Sequence, residues 1–243
     1  MRATNWEFKN RAMLFGLVFG LAFCLYFVDS QNSVAALANW LGAKLGIDSN
    51  LLARVMFALA AGLLVVAALL RTWASSYLHA GVVYAAEVKT ASLVADGPYR
   101  RVRNPLYFAN VLLVIGMGAM MSRTGFFVGI VAMLVFCLRL ILREEAELQA
   151  SQGEQYKGYL KAVPRLWPVL RPSTASAGRK ARWIDGFKAE FWCWGFAAGV
   201  AAFAITLNST AFLAILTASI ALLWVSTWLI EKQTRGTRPV INE

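Results

Sequence analysis

The sequence predicts an all-α integral membrane protein, and three observations support this fold class. Hydrophobic residues make up 59% of the 243-residue chain and charged residues only 15%, whereas soluble domains carry about a quarter charged residues. Six apolar runs approach the length, roughly 17–25 residues, that a helix needs to cross a bilayer. Most of the basic residues flank these runs. We therefore expect a membrane-embedded core with about six transmembrane helices.

The apolar runs also predict how the chain is divided. They occupy residues 12–28, 51–70, 107–121, 126–142, 191–207 and 211–230. Only residues 122–125 separate the third run from the fourth, so residues 107–142 should form a tight helical hairpin. The first run is interpreted as a retained helix rather than a signal peptide. The division expected is a membrane core over 1–170, a basic interfacial linker over 171–190 and a two-helix extension over 191–243.

The distribution of Lys and Arg predicts the orientation in the membrane. Of the 24 basic residues, all but Lys44, Arg54, Arg123 and Arg139 lie near the two termini or within the segments 71–106 and 143–190. By the positive-inside rule these regions share the cytoplasmic side, so both termini are expected there. The net charge of +11 then reflects membrane orientation, and no nucleic-acid partner is expected.

The residue counts disfavour several kinds of chemistry. His79 is the only histidine in the sequence, which argues against Ser-His and Cys-His catalysis and against a multi-histidine metal site. Cys24, Cys137 and Cys193 fall within apolar runs and lack paired spacing. We expect them to be buried free thiols, with no disulfide and no zinc site. Few ionisable residues lie inside the runs, so an ion pathway and a bound metal are not expected.

Two segments on the expected cytoplasmic side carry unusual polar sequence. The first ends in GPYRRVRNPLY, residues 97–107, and the second is REEAELQASQGEQYKGYLKAVPRLWP, residues 143–168. The hairpin brings them together, because the first segment enters it and the second leaves it. A composite site at the cytoplasmic interface is therefore expected.

Each feature of these segments also has an ordinary structural explanation. The arginines within residues 100–103 suit the flank of a membrane helix. Arg143 and Glu147 lie four residues apart, so they are expected to pair on a helix surface. One helical face carries a stripe that would pack together, formed by Tyr156, Tyr159 and Val163. These explanations account for the features singly but not for their fixed order.

In that order the motifs resemble the isoprenylcysteine carboxyl methyltransferase and phospholipid methyltransferase superfamily. The pattern is G-P-Y-R-x-V-R-N-P-x-Y, an apolar hairpin, and then E-E-x-x-L-x-x-x-x-G-x-x-Y-x-x-Y-x-x-x-V-P. The motif R-x-W-A precedes it at residues 71–74, and the similarity covers roughly residues 51–170. The resemblance implies a helical membrane methyltransferase that uses S-adenosyl-L-methionine and lacks the Rossmann-like fold of soluble methyltransferases.

The resemblance also implies which residues form a cofactor pocket at the cytoplasmic interface. They are Gly97, Tyr99, Arg103, Asn104, Pro105, Tyr107, Glu144, Glu145, Tyr156 and Tyr159. Arg103 and Glu144 are the implied catalytic residues. Asn104 stands where many relatives have histidine, so it can form hydrogen bonds but cannot titrate. Adjacent helical residues point about 100° apart, so one glutamate should face the cofactor while the other supports it.

The methyl acceptor implied by the resemblance is a lipid or prenylated molecule, with membrane lipids as the surroundings. A prenylcysteine carboxylate is ionised at neutral pH and needs no general base. A phospholipid amine, as in phosphatidylethanolamine, must lose a proton and would need a base such as glutamate. The shortage of histidine slightly favours carboxyl O-methylation over N-methylation. The sequence is less typical of a steroid-reductase-like enzyme that uses NADPH, or of a transporter or scaffold without enzymatic activity.

Overall fold

A computed structural model of the protein describes residues 1–78 and 95–236, with side chains described as far as residue 222. His79 lies outside the described residues. The helices in the described part are α1 Asn5–Lys9, α2 Arg11–Cys24, α3 Ser33–Leu45, α4 Ser49–Ser76, α5 Pro105–Gly118, α6 Arg123–Ala162, α7 Trp183–Thr206 and α8 Ser209–Gly236. Short 3-10 turns occupy Leu25–Phe27 and Gly97–Arg100. No strand occurs in the described residues, so the predicted helical fold class is confirmed.

All six predicted apolar runs are helical, but they differ in length. Among the described residues, three helices are long and apolar enough to cross a membrane, namely α4, α6 and α7. Shorter apolar helices occupy Arg11–Phe27 and Pro105–Gly118, and the described apolar part of α8 covers Ser209–Leu222. A helix rises about 1.5 Å per residue, so the 14 residues of α5 fall short of a hydrocarbon core of roughly 30 Å. The count of six spans therefore stays a prediction.

The hairpin of α5 and α6 is present, with its turn displaced from the predicted position. Residues 119–122 connect the two helices, whereas the sequence predicted a connection over 122–125. The reason is a helix cap: the Ser122 hydroxyl accepts a hydrogen bond from Gly125 N at 3.0 Å, which starts α6 directly after Ser122. Gly118 allows the close turn, because a Cβ atom there would overlap the Phe126 ring.

Helix α6 extends far beyond the predicted apolar run and includes the polar residues up to Ala162. Gly153 interrupts its helical geometry with φ of +55° and ψ of −127°. Glycine adopts a positive φ without the steric cost that a side chain would add. The kink separates the last turns of α6, which carry Tyr156 and Tyr159, from the rest of the helix.

The first C-terminal helix, α7, packs on α4, and α8 packs on α7. A Cβ atom on Gly186 would lie 2.5 Å from Thr72 O, so α7 approaches the α4 backbone closely at this point. Arg182 N donates to Ser76 O at 2.8 Å, just before α7 begins at Trp183. Helix α7 thus begins inside the segment 171–190 that the sequence assigned to a linker, and the C-terminal extension is joined directly to the core.

Two further features differ from expectation. Helix α3 lies between the first two apolar runs, where no helix was predicted, and Ala38 packs in a cluster with Ala53 and Phe57. Of the cysteines, all of which are free, Cys137 and Cys193 are buried as expected, but Cys24 is exposed. Cys24 ends α2 on an outer surface of the bundle, where an apolar sequence position does not require burial in the protein.

Candidate active site

The entry to the hairpin is built on a 3-10 turn at Gly97–Arg100. Gly97 has φ of +57°, and a Cβ atom there would overlap the Tyr77 ring. Only glycine fits both this backbone conformation and this contact. The turn buries Tyr99, and burial raises the pKa of Tyr99 well above its usual value of 10.0. At neutral pH the Tyr99 hydroxyl is therefore a neutral hydrogen-bonding group.

Arg103 joins the two polar segments. Its Nη2 lies 3.3 Å from Glu145 Oε1, and both side chains are 9% exposed. Arg103 Nη1 donates to Leu160 O at 3.2 Å, and its backbone N donates to Pro164 O at 2.9 Å. Its Nε is buried and has no hydrogen-bond partner among the described residues. A buried donor without a partner is costly, so this atom is suited to meet a ligand acceptor.

Glu145 is the centre of an arginine clamp. Arg165 donates to Glu145 Oε2 from Nε at 3.1 Å and from Nη2 at 2.9 Å, a paired arrangement that charged hydrogen bonds favour. The Asn104 side chain donates to Arg165 O at 3.0 Å. These contacts bring residues 97–107 and 143–168 together, and Arg165, which the sequence did not single out, takes part in them.

Glu144 faces a different direction from its neighbour. The Tyr107 hydroxyl donates to Glu144 Oε1 at 2.6 Å, and Tyr107 is buried inside the hairpin. Glu145 instead turns to Arg103 and Arg165. The expected divergence of the two glutamates is confirmed: one joins the hairpin interior while the other fixes the arginines.

The two tyrosines after the kink close one side of the site. The Tyr159 hydroxyl donates to Tyr99 O at 2.7 Å. Tyr156 and Tyr159 have ring centroids 5.9 Å apart and cluster with Val163, so the predicted packing stripe is confirmed. Leu148 packs against the same cluster from the other side of the kink. The tyrosine stripe thus fixes the polar end of α6 against the 97–100 turn.

The neighbouring charged residues have structural contacts of their own. Arg143 and Glu147 form the predicted i,i+4 pair at 2.7 Å. Arg101 lies with its guanidinium 5.3 Å from the Trp73 ring centroid and donates from Nε to Leu170 O at 3.3 Å. Arg101 therefore contacts protein, although its place among the arginines within residues 100–103 also suits the flank of a membrane helix. Pro105 occupies the first turn of α5 as expected, without a side-chain cap from Asn104.

The structure contains a second buried ion pair, between Arg71 and Glu190, that the sequence did not predict. Arg71 Nε lies 2.6 Å from Glu190 Oε2, with Glu190 fully buried. Each residue lies directly beside an apolar run, Arg71 after 51–70 and Glu190 before 191–207, and was assigned to a flank. A signal was present for Arg71, which opens the R-x-W-A motif, but none was found for Glu190.

The arrangement can bind and orient a ligand at the mouth of the hairpin. It offers an unpartnered arginine donor, a carboxylate on Glu144 and the amide of Asn104, with tyrosines excluding water from one side. Among the described residues, no group of three or more His, Cys, Asp and Glu side chains is placed to hold a metal ion.

Comparison with known proteins shows that part of this chain matches a protein family. The phospholipid methyltransferase family matches residues 55–155, which confirms the resemblance over this segment. The matched segment contains α5, the Arg103–Glu145 contact and both glutamates, and it ends just before Tyr156. No solved structure matches the chain.

Two curated relatives match over a similar length. The cobalt-zinc-cadmium resistance protein CzcN of Cupriavidus metallidurans is 31% identical over 102 residues, 41% of this chain and 43% of the relative. The nickel-cobalt-cadmium resistance protein NccN of Alcaligenes xylosoxydans xylosoxydans is 29% identical over 104 residues, 41% of this chain and 44% of the relative. The matches thus span less than half the length of each relative.

Proposed function

Because residues 55–155 match the phospholipid methyltransferase family, we propose that the protein is an S-adenosyl-L-methionine-dependent methyltransferase. Its acceptor is a lipid-linked molecule at the membrane interface. One observation carries the proposal: two polar segments on either side of the hairpin meet at Arg103 and Glu145, beside Glu144. Family similarity and this contact point to the same residues.

The residues present suit the cofactor. S-adenosyl-L-methionine supplies an electrophilic methyl group on a cationic sulfur, and it carries a carboxylate, an ammonium and two ribose hydroxyls. Arg103 Nε, buried and without a partner among the described residues, can donate to the carboxylate. Glu144 can accept from the hydroxyls or the ammonium. Glu145 holds the Arg103 guanidinium in place through Nη2.

The chain contributes chiefly by positioning and by excluding water, which are the main demands of an in-line transfer between bound groups. Tyr107 orients Glu144 through its 2.6 Å hydrogen bond. Tyr156 and Tyr159 cover one side with apolar ring surface. A water-soluble cofactor would enter from the interface, while a lipid-tailed acceptor would enter sideways between the helices.

The chemistry of the acceptor separates two versions of the proposal. A prenylcysteine carboxylate needs only an orienting cation, whereas the amine of phosphatidylethanolamine must lose a proton. Glu144 is the carboxylate placed to take that proton, so its presence keeps N-methylation open. Carboxyl O-methylation remains our first choice because its acceptor needs no general base and the sequence has a single histidine.

Calorimetric titration of the purified protein in detergent tests the cofactor. S-adenosylhomocysteine, the product form of the cofactor, should bind with one site per chain, and NADPH should give no saturable heat. Binding of NADPH without binding of S-adenosylhomocysteine would contradict the proposal and indicate a reductase.

The names of the relatives suggest a biological setting as a second proposal. Both relatives are named for resistance to cobalt, cadmium and other metals. We propose that methylation of an envelope lipid by this protein contributes to metal tolerance. A strain without the protein should then grow less well in cobalt, zinc or cadmium salts, and the Glu144→Ala variant should fail to restore growth. Full restoration of growth by that variant would show that metal tolerance does not depend on methyl transfer.

A further inference from the structure

Buried polar groups connect α7, which lies outside the segment that matches the family, to the interior of the bundle. Glu190 is fully buried and Arg71 is 5% exposed. Besides the 2.6 Å contact with Arg71, Glu190 accepts a hydrogen bond from the Ser75 hydroxyl at 2.6 Å. A buried ion pair is tolerated only when such hydrogen bonds satisfy both charges.

This ion pair continues toward the candidate cofactor residues. Arg71 Nη1 donates to Asn110 Oδ1 at 2.5 Å. Asn110 lies on α5 three residues after Tyr107, so the two side chains project from neighbouring positions on one helical face. Tyr107 in turn donates to Glu144. Two sets of contacts, Glu190–Arg71–Asn110 and Tyr107–Glu144, are therefore joined by one turn of α5.

Tyr99 lies within electrostatic reach of both ends of this line. Burial is the main reason that the pKa of Tyr99 is raised. Tyr159, Glu144 and Glu190 raise that pKa further, and Arg71 acts in the opposite direction. The Tyr99 hydroxyl therefore interacts electrostatically with both the candidate cofactor residues and the α7 ion pair.

We propose that Glu190 is a positioning residue of the methyltransferase site. Glu190 holds Arg71, and Arg71 holds Asn110 and with it the face of α5 that presents Tyr107 to Glu144. This inference rests on the proposed function. It makes α7, which lies outside residues 55–155, a required part of the site as well as a membrane helix.

A purely structural ion pair would fasten α7 to α4 without any effect on ligand binding. The two roles can be separated, because apolar residues of similar volume often replace a buried ion pair without loss of stability. The double variant Arg71→Met with Glu190→Leu restores packing between α4 and α7. It removes the hydrogen bond to Asn110 on which the positioning role depends.

The test uses the full chain in detergent, with thermal unfolding and S-adenosylhomocysteine titration as paired readouts. The double variant should unfold near the wild-type temperature but bind S-adenosylhomocysteine about tenfold or more weakly, as expected for loss of a charged hydrogen bond. The control is Asp185→Asn in the first turn of α7, which removes the charge of the partly exposed pair with Arg182 and should change neither readout. Wild-type affinity in the double variant overturns the proposal.

A ligand-free measurement keeps the inference testable if the double variant does not fold. Glu190→Gln keeps the side-chain volume but removes the charge, so amides of residues 107–114 on α5 should exchange hydrogen faster than in the wild type or Asp185→Asn. Unchanged protection in α5 overturns the positioning role. If the wild type binds no S-adenosylhomocysteine, the proposed function itself is wrong. If the wild type and the double variant bind it equally well, only the positioning role of Glu190 is wrong.

Discussion

Glu144 and Glu145 are adjacent in sequence but have different surroundings. Glu144 accepts from Tyr107, and Glu145 neutralises Arg103 and Arg165. Glu147, two positions beyond Glu145, has a partly exposed pair with Arg143. Exposed pairs of this kind contribute about 0–1 kcal/mol to stability, so Glu147 offers a matched control for the glutamate pair.

Alanine at Glu144 or Glu145 should weaken S-adenosylhomocysteine binding about tenfold, because each change removes a charged hydrogen-bond partner. At Glu144 the lost partner belongs to the ligand. At Glu145 the loss releases Arg103 from its position. Glu147→Ala should leave the affinity nearly unchanged in the same titration. Small and equal effects from all three variants would show that the glutamate pair is not at the cofactor site.

Arg103 and Arg101 provide a second contrast, between two arginines of one short segment. Arg103→Ala removes the donor proposed for the cofactor carboxylate and should lower the affinity by about tenfold to a hundredfold. Arg101→Ala loses the contact with Trp73 and should bind nearly as the wild type does. Both variants should insert into membranes normally. Equal affinities for S-adenosylhomocysteine would reduce the segment to a membrane flank.

Residue positions were predictable where a local motif carried the signal. The divergence of Glu144 and Glu145 follows from helical geometry, and the stripe of Tyr156 and Tyr159 follows from their spacing. Arg165 and Glu190 were not predictable in this way. Their partners are 20 and 119 residues away in the sequence, and only tertiary packing brings them together.

At the scale of elements, the segment between α6 and α7 is hydrogen-bonded to Asp96 and to the 97–103 region. Asp96 is almost fully buried, accepts from the Ser176 hydroxyl at 2.5 Å and accepts from Ala177 N and Arg179 N. Burial acts to raise the pKa of Asp96, but these hydrogen bonds outweigh it and hold that pKa below its usual 3.8. Arg100 adds a bond from Nε to Thr174 O at 2.8 Å.

Asp96→Ala should release this segment, because it leaves several donors without their acceptor at a cost of about 1–3 kcal/mol. Trypsin should then cut at Arg179 and Lys180 faster by about tenfold, since cleavage follows the population of the open form. Glu154→Ala, which affects only an exposed pair with Lys157, is the control. Cleavage as slow as in the wild type would mean that Asp96 does not hold the segment.

The same contact predicts a pH dependence. The pKa of Asp96 is lower in the folded protein than its usual 3.8. Its stabilising contribution is therefore complete above about pH 4–5 and is lost as the pH falls through the folded value. Amide exchange of residues 171–182, corrected for intrinsic rates, should rise on acidification in the wild type. The Asp96→Ala variant should show no such rise, and a parallel rise in both would assign it to other groups.

Element positions were predicted well and element ends were not. Each apolar run is helical because long apolar segments in a membrane must satisfy their backbone groups internally. The ends depend on local contacts that hydropathy does not record. Ser122 caps α6 and moves the hairpin turn, and Gly153 kinks α6 within the polar sequence that follows its apolar run. Helix α3 was missed because its 13 residues are too short for a span.

At the scale of the whole molecule, the distribution of bases predicts that the site faces the cytoplasm. Cysteine labelling in intact cells tests this, in a background where Cys24, Cys137 and Cys193 are replaced by alanine. Gln31 lies in the loop beside the hairpin turn and Ser151 near the polar end of α6, and both are exposed. A membrane-impermeant reagent should label Gln31→Cys and not Ser151→Cys. Labelling of both from outside would place the site on the wrong side of the membrane.

Methyl transfer in reconstituted membranes is the most direct measurement of the central claim. The purified protein is placed in vesicles that contain phosphatidylethanolamine or a prenylcysteine, with S-adenosyl-L-methionine labelled in its methyl group. We predict lipid-extractable label with wild type and Glu147→Ala, strongly reduced label with Glu144→Ala, and base-labile label if the product is a carboxyl ester. The contrary result is that all of the label is recovered as unreacted cofactor, with either acceptor and with all three proteins. That result would contradict the claim that this chain is a methyltransferase.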